Sequence, residues 1–329
     1  MNKIKPKVCR EMNYVFHILS VSKCGYDNEY GKKYMHLHLP EDLKILKDNE
    51  FLLTIKGGEH IGALYGLILW AATKPDTEAK DVYMFLNQLF DTGDIDFISW
   101  KYYNILTGDK DNLVENDDDL KALISESDLS DLKDGLRASY HNQLQYKSQI
   151  VAITDVMIRN YDIFINKVWD ESKETLLIYA NTIQDIFETD DITHKLENIV
   201  GVSLESDFIP SFVNSIDDGA EALDMHPEVI FGIGRDFNKA KLFIAHEYVI
   251  LLLKNALKNT PAFSSEIFTY YDNIEALAEF YLEQVTDEKG ILWKSLNHLK
   301  DFYEKRYNEN SNITASELFI KAVENYSIE

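Results

Sequence analysis

Basic residues are scarce in this chain: 33 Lys and Arg face 56 Asp and Glu, a formal charge of -23 over 329 residues. A surface of that sign repels phosphate backbones and anionic headgroups, so neither nucleic acid nor a membrane is an expected partner. Cysteine is almost absent. Cys9 and Cys24 are too few for a secretory disulfide framework and lack the second pair of a four-thiolate metal site. Both read as free thiols without a role, in a reducing, cytoplasmic setting. With only 14 Gly and 6 Pro, collagen-like and low-complexity readings are excluded. Long apolar runs are missing too. The longest, Leu242 to Leu253, is interrupted by His246 and Glu247 and falls short of the roughly 20 residues of a membrane span. Near the N-terminus, the run Tyr14 to Val21 contains His17 and lacks a small-residue cleavage site, so it reads as a strand rather than a signal peptide.

What is present is 45% hydrophobic, 12% aromatic and 27% charged residues, the composition of an ordered, helix-rich globular protein. The expected fold class is α+β and helix-dominated. Strand signals at Val15 to Ser22, Tyr34 to Leu39 and Phe51 to Lys56, followed by helical spacing from Ile61 to Ala72, predict an N-terminal α+β unit over residues 1–115. Residues 116–135 are crowded with acids, Asp117 to Asp119 consecutively, and read as an exposed acidic connector. The calcium-loop alternative lacks the alternating ligands and glycine it needs.

Residues 136–329 read as a helix-rich domain. Apolar spacing predicts helices through Val151 to Val168 and Leu176 to Phe187, then strands at Phe208 to Ile216 and Glu228 to Ile233 around a turn-rich DDGAEALDMHP. Asp236 is a plausible N-cap for a helix to Lys258, which Thr260-Pro261 ends. Further helices are predicted at Asn273 to Thr286, Trp293 to Tyr307 and Ala315 to Tyr326.

Inside the Leu242 to Leu253 stretch, His246 and Glu247 are the ionisable groups apart from the Tyr248 phenol. A charge on a buried helix is costly unless it is paired or metal-bound, so the pair wants a partner. At about 100° per residue, His246 shares a face with position 250. Two imidazoles at that spacing with an intervening Glu form the HExxH zinc motif; here position 250 is Ile.

The segment resembles the zincin metallopeptidases, specifically the gluzincin group, in three features. These are the His246-Glu247 helix, the candidate edge strand Glu228 to Gly234 ahead of it, and Glu275-Ala-Leu-Ala-Glu-Phe280 beyond it. The resemblance covers about Trp169 to the C-terminus. It implies a zincin-like domain with a small sheet over the His246 helix. It also implies zinc as cofactor, with His246 as a metal ligand, Glu247 as general base and Glu275 as the third ligand. With Ile250 in the second ligand's place, it implies a degenerate site in which zinc is absent or weakly held. The expected function is then that of a non-catalytic peptide- or protein-binding relative, and HExxI argues against an enzyme. Two alternatives stand beside it. One is an active zinc peptidase completed by His226, His298 or Tyr271. The other is a purely structural helical protein in which His246 and Glu247 bond to neighbours such as Lys254 or a Tyr. Phe243 and Ile250 on the same arc predict a partly apolar cleft.

Other motifs are weaker. Gly232-Ile-Gly234-Arg-Asp-Phe237 has Phe at the third glycine of a dinucleotide fingerprint and no second parallel strand to follow. Gly25 to Lys33 has the wrong glycine spacing for a phosphate loop and reads as a tyrosine-rich turn between strands. His36 and His38 read as the solvent face of a strand, and Gly57-Gly58-Glu59-His60 as a turn.

Overall fold

The computed structural model describes residues 3–53, 78–108, 113–216, 220–225, 228–233, 236–260, 271–286, 288 and 294–326. The chain opens with α1 (Arg10–Val21), α2 (Glu29–Tyr34), a 3-10 turn (Met35–Leu37) and α3 (Pro40–Asp48). Next come α4 (Ala79–Thr92), α5 (Ile95–Thr107), α6 (Asp117–Leu123) and α7 (Glu126–Gln143). A long continuous helix follows, formed by α8 (Lys147–Phe164), one π turn (Ile165–Trp169) and α9 (Asp170–Thr189). After α10 (Ile192–Val200) the chain builds a small sheet from β1 (Ile209–Val213), β2 (Ala220–Met225) and β3 (Glu228–Gly232). It closes with α11 (Phe237–Leu257), α12 (Tyr271–Val285), α13 (Asn297–Glu309) and α14 (Ala315–Tyr326).

The sheet runs β1-β3-β2, with β1 parallel to β3 (Ile209 opposite Glu228, Val213 opposite Gly232) and β2 antiparallel to β3. Residues 3–7 extend it beyond β1: Lys5 and Lys7 donate their N–H groups to the Phe208 and Pro210 carbonyls, both at 2.8 Å. The described strand β3 is therefore central, and the edge is β2. This corrects the expectation that Glu228 to Gly234 is the edge strand and that 217–227 is only a turn. The edge expectation came from the gluzincin resemblance; all five residues of β3 are buried, as those of a central strand are.

The N-terminal strands are also corrected. Val15 to Ser22 falls in α1, nearly every residue of which is buried, and a short apolar run has no period to separate a buried helix from a buried strand. Tyr34 to Leu39 is a helix end and a 3-10 turn, and Phe51 begins in another (Glu50–Leu52). Ile61 to Ala72 and Gly57 to His60 lie outside the described residues. The Gly25 to Lys33 segment is a short turn that runs into α2, so it lies between helices, not strands. Gly31 sits where an added Cβ would collide with the Ser20 carbonyl, so α2 can cross the end of α1 only with glycine there.

Residues 116–135 are mostly exposed, as expected, but they fold as α6 and the start of α7. The Asn116 side chain accepts hydrogen bonds from the Asp118 and Asp119 N–H groups. The three consecutive acids thus fill the first turn of a helix, where its dipole favours negative charge. One buried apolar cluster runs from Ile4 to Ala322, with members from both 1–115 and 136–329, so the core is continuous across these segments. No helix among the described residues is long and apolar enough to cross a membrane.

Candidate functional site

Helix α11 follows β3 and begins at Asp236, whose side chain accepts from the Lys239 N–H at 2.9 Å. Its apolar residues point in every direction, because neighbours cover it all round. Phe231 of β3 meets Phe243 edge-on at 5.8 Å between ring centroids, and Phe208 meets Tyr248 at 6.0 Å. Helices α9, α10, α12 and α14 pack against its other sides. A helix apolar all round is a core helix, which makes His246, 0% exposed, a polar group that must find its partner inside.

That partner is Glu275. Residues 246 and 275 come from different helices, and the packing of α12 across α11 brings the His246 Nε2 to 2.8 Å from the Glu275 Oε2. Glu275 is itself buried, and Tyr271, one turn earlier on α12 and half exposed, is hydrogen-bonded to it. Glu247 is half-buried beside them and makes no hydrogen bond or ion pair to any described residue. Ile250 and Phe243 are buried on the same side of α11. The expected trio of His246, Glu247 and Glu275 is thus gathered by the fold, with Tyr271 at its rim. His298 is exposed on α13, and His226 lies outside the described residues.

Burial alone would pull the His246 pKa down, but the Glu275 hydrogen bond and the charges of Glu247, Glu275 and Glu279 outweigh it and raise it above the ordinary value. Burial pushes the Glu247 carboxyl up to about 7; the charge of His246 opposes it, Glu275 adds a smaller push, and Lys254 takes a little back. Burial and the Glu275 bond raise the Tyr271 phenol likewise. At neutral pH, Glu247 is therefore close to its own midpoint and can either donate or accept a proton, the property of an acid–base group.

A catalytic zinc of the implied kind needs three protein donors. Here the second imidazole is an isobutyl-sized Ile250, His246 and Glu275 are bonded to each other, and the His246 Nδ1 has no hydrogen-bond partner among the described residues. Metal-ligating histidines almost always anchor that second nitrogen. Among the described residues, no group of three or more His, Cys, Asp or Glu is arranged to hold a metal ion. The donor set does not fit the three-ligand site.

Two polar features escaped sequence reasoning. The first is an acidic row on α12: Glu275, Glu279 and Glu283, spaced by four, share one helix face. Lys300 of α13 reaches Glu279 at 3.1 Å and Glu283 at 2.6 Å. The spacing E-x3-E-x3-E could have found it. The second is His38, expected on a solvent face beside His36. His36 is exposed, but His38 is buried against His17, Nε2 to Nε2 at 2.9 Å. No spacing rule links positions 17 and 38, and only the fold joins them. Cys9 and Cys24 are thiols outside any disulfide among the described residues, with pKa values raised by burial, Cys24 to about 11, as befits unreactive groups. Comparison of the chain with protein-family models, with curated proteins and with solved structures finds no match in any of the three.

Proposed function

We propose that the chain is a zincin-like protein whose metal site is degenerate, and that its cleft binds a peptide or another protein without cleaving it. The observation that carries this reading is the direct His246 to Glu275 hydrogen bond at 2.8 Å, with Ile250 in the place of a second imidazole. Two helices converge on one polar point, as a metal site requires, but the carboxylate completes the imidazole itself. The open edge of the sheet adds support: β2 pairs only with β3 among the described residues, and an edge backbone can take up an extended peptide by strand addition. Glu247, near its midpoint at neutral pH, would supply a hydrogen bond to such an occupant. The half-exposed Tyr271 would offer an aromatic contact at the rim.

A second reading, a zinc peptidase with a non-standard ligand set, is favoured by one observation: the Tyr271 hydroxyl is bonded to Glu275, so a third oxygen donor is close at hand. Metal analysis separates the readings. The purified protein should contain well under one zinc per chain, and Ile250→His should raise this towards one. Near-stoichiometric zinc in the unaltered protein, with peptide hydrolysis that Glu247→Gln abolishes, would establish the peptidase instead. If Ile250→His only destabilises and takes up no zinc, the zincin-like reading fails and His246 is ordinary core architecture.

A further inference from the structure

The second buried histidine centre lies far along the chain from His246, and a single line of hydrogen bonds orders it. Asn160 of α8 donates its amide N–H groups to Asp42 Oδ2 and to the Val156 carbonyl, both at 2.8 Å. Its Oδ1 must therefore face His38 as an acceptor, at 2.7 Å from Nδ1. His38 then carries its proton on Nδ1 and presents a bare Nε2. Across 2.9 Å, His17 must donate from its own Nε2, which leaves its Nδ1 bare to accept from the Tyr30 hydroxyl, also at 2.9 Å. Asp42 is fixed by Arg159, whose Nε lies 3.0 Å from both carboxylate oxygens. One ion pair near the surface thus sets the tautomer of two imidazoles inside.

The geometry admits one proton between the two Nε2 atoms. A second would put two N–H donors head to head with no acceptor, and no room is available for the rings to part. Phe164 of α8 is 5.0 Å from the His17 ring, and Tyr34 is 6.0 Å from it. Both histidines are buried, His17 at 0% and His38 at 5% exposure.

The charged and titratable surroundings relieve this only in part, through the charge of Asp42 beside His38. Helix α1 brings His17 itself, and α2 brings the neutral Tyr30 and Tyr34, with Lys33 turned outward onto Glu171 of α9. The 3-10 turn brings the exposed His36, and α3 brings Asp42, already held by Arg159 of α8. No described carboxylate is bonded to either ring. Burial lowers the pKa of His17, with the His38 imidazole adding to it, and burial also lowers that of His38, against smaller upward pulls from the Asn160 hydrogen bond and the Asp42 charge.

We propose that His17 and His38 form an acid-released latch, which fastens α2, the 3-10 turn and α3 onto α1 and α8 while both rings are neutral and lets them go when the pair is forced to take up further protons. The proton count gives the steepness. Each ring's folded pKa lies below its unfolded value of about 6.5, so the open form binds up to two more protons than the closed one. The stabilisation is complete above about pH 6.5 and is lost as pH falls. In that window the opening equilibrium should rise by up to about 100-fold per pH unit.

The test uses the full chain. Imidazole nitrogen NMR at pH 7.5 should show the proton of His17 on Nε2 and that of His38 on Nδ1, with neither ring titrating near 6.5. The opposite tautomers, a charged ring at neutral pH or ordinary titration would overturn the latch whether or not any variant folds. Opening of residues 29–48, read by hydrogen exchange corrected for intrinsic rates, should steepen below about pH 6.5 in the unaltered protein. His38→Gln, which keeps an acceptor for His17 but does not titrate, should lose about one proton's worth, a tenfold-per-unit dependence. His36→Gln, which removes only a small charge effect on His38, should change the profile far less than His38→Gln. Equal pH profiles for the unaltered protein and His38→Gln would sink the proposal.

Discussion

His246 and His17 are both fully buried, yet their surroundings move them in opposite directions. His246 is held by a carboxylate and lies in the field of two more, so it keeps its proton more tightly than free histidine does. His17 has only another imidazole and a phenol, so burial wins and its affinity for a proton falls. Burial does not by itself decide the charge of a histidine; the chemistry of its nearest acceptor does. The consequence is an opposed pH response within one continuous core. The His246 centre contributes stability below the unfolded histidine pKa and loses it as pH rises through the folded one, and the His17–His38 centre does the reverse.

The comparison is broken most severely at Glu275. Glu275→Ala takes away the acceptor and leaves a buried imidazole uncompensated, which should destabilise by on the order of 3 kcal/mol and drive the His246 titration down, towards the behaviour of His17. Urea unfolding at pH 6 and histidine NMR measure both; an unchanged His246 titration would show that the pair does not govern it.

Glu247 sharpens the contrast from the other side. Its folded pKa of about 7 stands above the ordinary 4.5, so the folded state holds a proton that the unfolded state has lost. Stability therefore declines as pH rises from about 4.5, and the penalty is complete above about 7. Glu247→Gln should stabilise by about 2 kcal/mol at pH 8, allowing for partial solvent screening, and by almost nothing at pH 4. Paired urea titrations at the two pH values check the sign. The smallest effect is expected at Tyr30. Tyr30→Phe removes one hydrogen bond to His17 Nδ1 and should cost about 1 kcal/mol, with the tautomers of both rings retained.

Legibility differed along the chain for physical reasons. Helices α8, α9 and α11 to α14, and β1 and β3, could be read because their apolar spacing runs over many turns or is bounded by clear stops, whereas the nine-residue α10 was missed. The Asp236 cap and the span Ala315–Tyr326 follow directly from local chemistry. The first fifty residues misled, because α1 is buried on nearly all sides, and the segment after it is made of short helices with too few turns for a period to show. At the candidate site, His246 and Glu247 stood out as polar residues in apolar surroundings, and Glu275 came from the gluzincin resemblance. The Glu279–Lys300–Glu283 bridge and the His17–His38 pair did not, since a lysine or histidine in a mixed segment gives no sign of being buried.

The sequence by itself determined which residues had to be inside and which of those were too polar to be there alone, because transfer of apolar and charged groups from water depends on the residue. The tertiary structure alone decided which partner each buried group received. Glu275 lies 29 residues beyond His246, and Asn160 lies 122 beyond His38. A hydrogen bond acts over about 3 Å, so these partners are chosen by the way helices cross, and the sign of each histidine's response to acid is fixed there.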